Sequence, residues 1–82
     1  MNYEKVRREI YFSIMTFDYD AFEKAFKEYL VNYAKPLNVR ELDINFFLNV
    51  RKTNARIQIV KLFLSEFASR HSELMKDIKI NI

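Results

Sequence analysis

LDINFFLNV at residues 42–50, RKTNAR at 51–56 and IQIVKLFL at 57–64 form the continuous stretch whose reading decides the fold. In the first segment Leu42, Ile44, Phe46, Leu48 and Val50 share one face and Asp43, Asn45, Asn49 and Arg51 the other, with Phe47 as the exception. Sustained period two argues for a strand. A helix competes: Asn38 and Glu41 have capping-box spacing, with Leu37 and Leu42 placed as a staple. That helix would turn Ile44 and Leu48 to its polar side, so the strand is preferred.

The third segment repeats the pattern. A two-residue loop at Thr53-Asn54 pairs Val50 with Ile57, Leu48 with Ile59 and Ile44 with Phe63, and sets Asn49 opposite Gln58. Phe46 opposite Lys61 breaks the match and marks a bulge. The alternative is one long helix from Asn54 to Asp77, carrying the stripe Ile57, Val60, Leu64, Phe67, His71 and Leu74. It leaves Ile59 and Leu62 facing solvent, and the hairpin is preferred over it.

Working outward, residues 8–17 are dense in β-branched and aromatic types, with Ile10, Phe12 and Ile14 alternating against Tyr11, Ser13 and Met15; this predicts a strand. Asp18 and Asp20 precede an amphipathic helix, Asp20 and Glu23 forming a capping pair. Its apolar face is Phe22, Ala25, Phe26, Tyr29, Leu30 and Tyr33, and it stops near Ala34 because Pro36 cannot continue it. Ser65 caps a shorter helix bearing Phe67, Ala68, His71, Leu74 and Met75, and residues 79–82 close the chain as a strand against the first. The predicted fold is α+β: one ferredoxin-like β-α-β-β-α-β domain over residues 1–82, an antiparallel four-stranded sheet with two helices on one face. The alternative is β-α-β-α-β with one long C-terminal helix.

Composition narrows the function. Eight Phe and five Tyr supply enough apolar surface for a core in 82 residues, and disorder is excluded at that composition. Without cysteine there is no disulfide, thiol nucleophile or zinc-thiolate site. No apolar run reaches membrane-spanning length, so no membrane partner is expected, and residues 1–9 resemble neither a signal peptide nor a presequence. The absence of glycine rules out a glycine-rich phosphate loop and forces any left-handed backbone position onto Asn or Asp. The single His71, with Ser69, Ser72 and Asp77 near it in sequence, has neither triad nor metal-ligand spacing. A non-enzymatic binding protein is expected, with no cofactor, metal or small-molecule substrate.

The expected site is the basic hairpin tip: Arg51, Lys52 and Arg56, with Asn54 and Gln58 as neutral hydrogen-bonding groups. Arg51 and Arg56 would face each other across the strands, and an intervening anion would relieve their repulsion. RNA phosphate contact is one use of such a protrusion; a solvated turn that keeps a strand edge soluble is the other. The net charge of +3 is mild for a free-standing RNA binder but suits a domain held inside a larger assembly.

Residues 10–35, IYFSIMTFDYDAFEKAFKEYLVNYAK, resemble the opening strand and helix of the small-subunit ribosomal protein S-ten family, with Phe17, Asp18 and Tyr19 at its aromatic-Asp-aromatic turn. Val50, Lys52, Ala55, Arg56 and Gln58 are similar to that family's return strand, and residues 73–82, ELMKDIKINI, to its closing helix and strand. The resemblance implies the ferredoxin-like fold and a structural place in the head of the small ribosomal subunit. Its implied partners are ribosomal RNA and neighbouring small-subunit proteins. Arg51, Lys52, Asn54, Arg56 and Gln58 would face RNA, with Arg7, Arg8, Lys35 and Arg40 as weaker candidates on charge. Abundant Phe, Tyr, Met, Ile, Asn and Lys, all with AT-rich codons, point to an AT-rich genome (organelle, virus or low-GC bacterium). Together with the resemblance this implies a mitochondrial ribosome or, as the alternative, the cytoplasm of a low-GC bacterium. A small viral or mobile-element interaction protein that blocks a host factor is the competing reading.

Overall fold

The computed structural model describes residues 2–49 and 51–82, and the expected Val50–Ile57 pairing lies outside the described residues. Two helices open the chain, α1 (Tyr3–Met15) and α2 (Tyr19–Tyr29), the second continued by a π-helical turn (Leu30–Ala34). There follow β1 (Glu41–Asp43), α3 (Ile44–Leu48), α4 (Asn54–Arg70), α5 (Ser72–Met75) and β2 (Lys79–Asn81). β1 and β2 form a two-stranded parallel sheet with Glu41 opposite Lys79, Leu42 opposite Ile80 and Asp43 opposite Asn81. The ferredoxin-like expectation is overturned, since among the described residues there is no four-stranded antiparallel sheet. The alternative topology fails too: its first strand is helix α1, most of its second is helix α3, and its long helix begins at Asn54 but ends at Arg70 rather than Asp77.

The first correction lies in α1. Val6, Ile10, Ser13 and Ile14 recur at helical spacing and are buried, whereas Phe12, part of the supposed alternation, is 58% exposed. Asn2, outside the segment read as a strand, caps the helix by accepting from the Lys5 N–H at 3.0 Å. The far end closes as a Schellman motif: Asp18 N–H donates to Ser13 O, Phe17 N–H donates to Ile14 O, and Phe17 sits in the left-handed region at φ 55°. Asn38 and Asn49 are the other described residues there, so Asn takes two of the three places glycine would normally fill.

Helix α2 buries Phe22, Ala25, Phe26 and Tyr29, the face expected of it, but its cap is Asp18 accepting from Ala21 N–H, not Asp20. The π turn carries the helix to Ala34, as expected, and buries Leu30 and Ala34 completely. The short link between α1 and α2 folds one back on the other, and α4 packs against both.

The decisive stretch folds neither as a strand nor as a hairpin. Leu42 lies in β1, and Asp43 then caps the five-residue α3 by accepting from Phe46 N–H at 3.2 Å. Within α3, Ile44, Phe47 and Leu48 are buried while Phe46 is 87% exposed, which is helical rather than alternating burial. Asn49 ends it at φ 55°. Thr53 Oγ1 accepts from Arg56 N–H at 3.3 Å and starts α4, which buries Val60, Phe63, Leu64 and Phe67. The Leu48–Ile59, Ile44–Phe63 and Asn49–Gln58 strand pairs are therefore absent. Ser65 is an exposed mid-helix residue, and the break falls at His71, so Leu74 and Met75 belong to α5. Leu62 is exposed, as the helical reading required, but Ile59 is half-buried against the core. The closing strand does form, paired with β1 instead of the N-terminal segment.

Phe22, Phe26 and Phe67 are the largest fully buried side chains; Phe22 stacks on Phe26 at 5.2 Å and Phe67 meets Phe26 edge-on at 5.0 Å. Truncating Phe67 to Ala is expected to lower the unfolding free energy by about 3–5 kcal/mol. Urea denaturation followed by circular dichroism measures this.

Candidate nucleic-acid interface

With the hairpin gone, the basic segment becomes the lead-in and first turns of α4. Arg51, Lys52 and the cap Thr53 are exposed, Asn54 is the first helical residue, and Arg56 sits half-buried in the first turn. Gln58 lies on the exposed face of the second turn. The cross-strand opposition of Arg51 and Arg56 does not exist, because both belong to one helical start rather than to facing strands.

The new geometry carries its own electrostatics. Unsatisfied N–H groups give a helix N-terminus partial positive charge, which carboxylates normally offset. Helix α1 has Glu4 in its first turn and α2 has Asp18 as cap and Asp20 in its first turn. Helix α4 has no acid there and is preceded by two cations. Among the described residues no carboxylate lies within ion-pair distance of Arg51, Lys52 or Arg56.

Two of the weaker candidates lie at the same end. Arg7 and Arg8 line a shallow hollow with Tyr11, Phe12, Leu48 and Asn49, and Arg51 follows Asn49 by two positions, a reach of about 7 Å at most. Their roles differ. Arg7 pairs with Glu4 at 2.8 Å and donates to Leu48 O at 3.0 Å, tying α1 to the end of α3 and holding the Glu4 carboxyl below its ordinary range. Arg8 is exposed and without a described ion-pair partner, next to the 58% exposed Phe12. Lys35 and Arg40 lie elsewhere, in a hollow shared with Glu73 and Asp77 whose carboxylates weaken any pull on an anion. Arg8 thus lines, with Arg7, a hollow that reaches Asn49, two positions before Arg51; Lys35 and Arg40 line a different one, and Arg51, Lys52, Asn54, Arg56 and Gln58 stay together along the chain. The reading of the residues missed the Thr53 cap, whose signal was a threonine directly before a helical apolar stripe.

His71 is engaged at the other end of α4. Its Nε2 lies 3.1 Å from Glu23 Oε2, the same oxygen that accepts from Tyr19 Oη at 3.2 Å and faces Arg70 at 3.6 Å. The His71 hydrogen bond, with smaller help from Tyr19 and Arg70, holds the Glu23 carboxyl below its ordinary value. Burial, followed by the Glu23 charge, pushes the Tyr19 hydroxyl up to about 12. Among the described residues no group of three or more His, Asp or Glu is placed to hold a metal ion, and no helix is long and apolar enough to cross a membrane. No protein-family model, curated protein or solved structure matches the chain.

Because the folded-state pKa of Glu23 is depressed, its contacts stabilise the fold above the unfolded value of 4.5 and are lost as pH falls through the folded value. Glu23→Gln should therefore flatten the acid limb of a stability-against-pH profile. Denaturant midpoints measured from neutral to acidic pH check this.

Proposed function

We propose that the chain is a non-catalytic RNA-binding protein that grips the phosphate backbone at the N-terminal end of α4. Arg51, Lys52 and Arg56 supply charge, Arg8 extends it along α1, and Asn54 and Gln58 offer uncharged hydrogen bonds. One observation carries the reading: the longest helix begins with cations and no acid, where the helix dipole itself favours a negative partner. Phosphate would neutralise both contributions together. The exposed Phe12 beside Arg8 adds an aromatic surface of the kind on which unpaired bases stack.

A small structural protein inside a ribonucleoprotein assembly fits a charge of +3, since neighbours in such an assembly supply the remaining contacts. The small ribosomal subunit of a mitochondrion or a low-GC bacterium is the assembly the local sequence resemblance and the residue usage put first. The fold that resemblance implied is not this chain's fold, so the RNA reading rests on the placement of charge. A second reading has its own support: Phe46, Leu37 and Phe17 are 87%, 73% and 64% exposed, which suits a viral or mobile-element protein that docks on a host factor.

Arg51→Glu with Lys52→Glu separates binding from folding. Carboxylates ahead of α4 oppose its dipole favourably, so the melting temperature should hold or rise. RNA affinity should fall at least about tenfold, and the slope of log affinity against log salt should shrink by about 1.4 for two lost single-strand contacts. Unchanged affinity in the double variant, or no RNA binding by the native chain at low salt, would remove the proposal. Fluorescence anisotropy with a labelled single-stranded RNA reads both quantities.

A further inference from the structure

The end of the molecule where α1, β1 and α3 meet holds a cleft of about 690 Å³ with a chemistry opposite to that of the α4 start. Tyr3, Tyr29 and Phe47 form an aromatic cluster within it, Tyr3 lying 6.1 Å from Tyr29 and 5.9 Å from Phe47, and Tyr29 lying 4.6 Å from Phe47. Phe46 adds a further wall and is 87% exposed. Glu4, Arg7, Glu41 and Asp43 also line the cleft.

Those carboxylates are not equivalent. Glu4 is neutralised by Arg7, whose guanidinium it holds at 2.8 Å. Glu41 accepts from the neutral Asn81 amide, and Asp43 from the Phe46 N–H. Among the described residues no cation lies within ion-pair distance of Glu41 or Asp43. The cleft therefore carries two carboxylates outside any close ion pair, Glu41 having Lys79 as its cross-strand neighbour, beside the exposed Phe46 and the partly exposed Tyr3.

The molecule displays elsewhere what such a set of groups receives. The Arg70 guanidinium lies 5.1 Å from the centre of the Tyr19 ring while pairing with Glu66 at 3.0 Å and facing Glu23 at 3.6 Å. One arginine thus satisfies an aromatic ring and two carboxylates at once. The cleft presents the same kinds of group, and its own arginine, Arg7, is taken up by Glu4 and Leu48 O, which leaves Glu41, Asp43 and the exposed Phe46 ring without one.

We propose that the cleft between α1, β1 and α3 is a docking site for an arginine side chain of a partner polypeptide. The guanidinium lies against the exposed rings of Phe46 and Tyr3 and its N–H groups donate to Glu41 and Asp43. Arginine is favoured over lysine because a planar, weakly hydrated cation both stacks on a ring and forks onto a carboxylate. A polypeptide is favoured as its carrier because all three residues of β1 line the cleft, and β1 has one edge without a strand partner among the described residues. This site does not depend on the RNA reading; the two lie on different groups and carry opposite charge.

The test uses the isotope-labelled full chain and a capped glycine-arginine-glycine peptide, followed by amide NMR. Citrulline and lysine versions of the same peptide serve as the uncharged and the non-planar comparison. The arginine peptide should shift signals at Leu42, Asp43, Phe46 and Phe47, and bind at least about tenfold more tightly than the citrulline peptide. Phe46→Ala and Glu41→Gln should each weaken it about threefold or more. Both substitutions are at exposed positions, and the amide oxygen introduced by Glu41→Gln still accepts from Asn81, so the folded spectrum is retained. Equal binding of the citrulline or lysine peptide, shifts confined to other surfaces, or unaltered binding in both variants would overturn the proposal. So would self-association of the free chain that Phe46→Ala abolishes in analytical ultracentrifugation, since a second copy would then be the occupant.

Discussion

Phe67 reaches from α4 onto α2 and meets Phe26 edge-on at 5.0 Å and Phe22 at 6.3 Å. Much else depends on that crossing. It commits α4 to a single long helix, because Val60, Phe63 and Leu64 follow Phe67 onto the same buried face. It places His71 one turn further on, within reach of Glu23, and so ties the end of α4 to α2. It also leaves the opposite end of α4, with its cations and its Thr53 cap, out in solvent. The orientation of a core aromatic thereby decides where the charge is displayed.

The parts of this arrangement legible in the residues were those where polar and apolar positions separate on only one period. In α2, Glu23, Lys24, Lys27 and Glu28 mark an outer face that no strand could explain, and the helix was readable to its end at Ala34. In α1 and α4 the two periods coincide. Ile10 and Ile14 are four apart, which satisfies both an alternating strand and a helical stripe, and the exposure of Phe12 and the burial of Ser13 separate them. IQIVKLFL has the same ambiguity, since Leu62 and Ile59 count for a strand until tertiary packing assigns them to the rim of a helix. Local β propensity then yields to the burial of Val60, Phe63 and Phe67. The caps Asn2, Asp43 and Thr53 were the discriminating signals, each just ahead of a helix.

The candidate site was legible as composition but not as geometry. Arg51, Lys52 and Arg56 are adjacent in sequence, so any fold displays them close together; what they surround depends on whether a turn or a helix start lies between them. Arg7 and Arg8 are neighbours, yet one is an internal tie and the other a free surface charge, a distinction made by Glu4 and Leu48. The acid–aromatic cleft was invisible because it gathers Tyr3, Tyr29, Glu41 and Phe46 from four separate elements.

The three left-handed corners at Phe17, Asn38 and Asn49 bear on the unfolded chain as much as on the folded one. A side chain at such a corner costs about 1 kcal/mol of backbone strain that glycine would avoid. Glycine, however, would enlarge the set of conformations open to the chain before folding, and the entropy lost on ordering would grow with it. With no glycine anywhere, every residue begins from a narrower ensemble. The strain held at the corners is thus set against a stiffer denatured state, which makes the tightest turns of this small domain a property of both ends of the folding equilibrium.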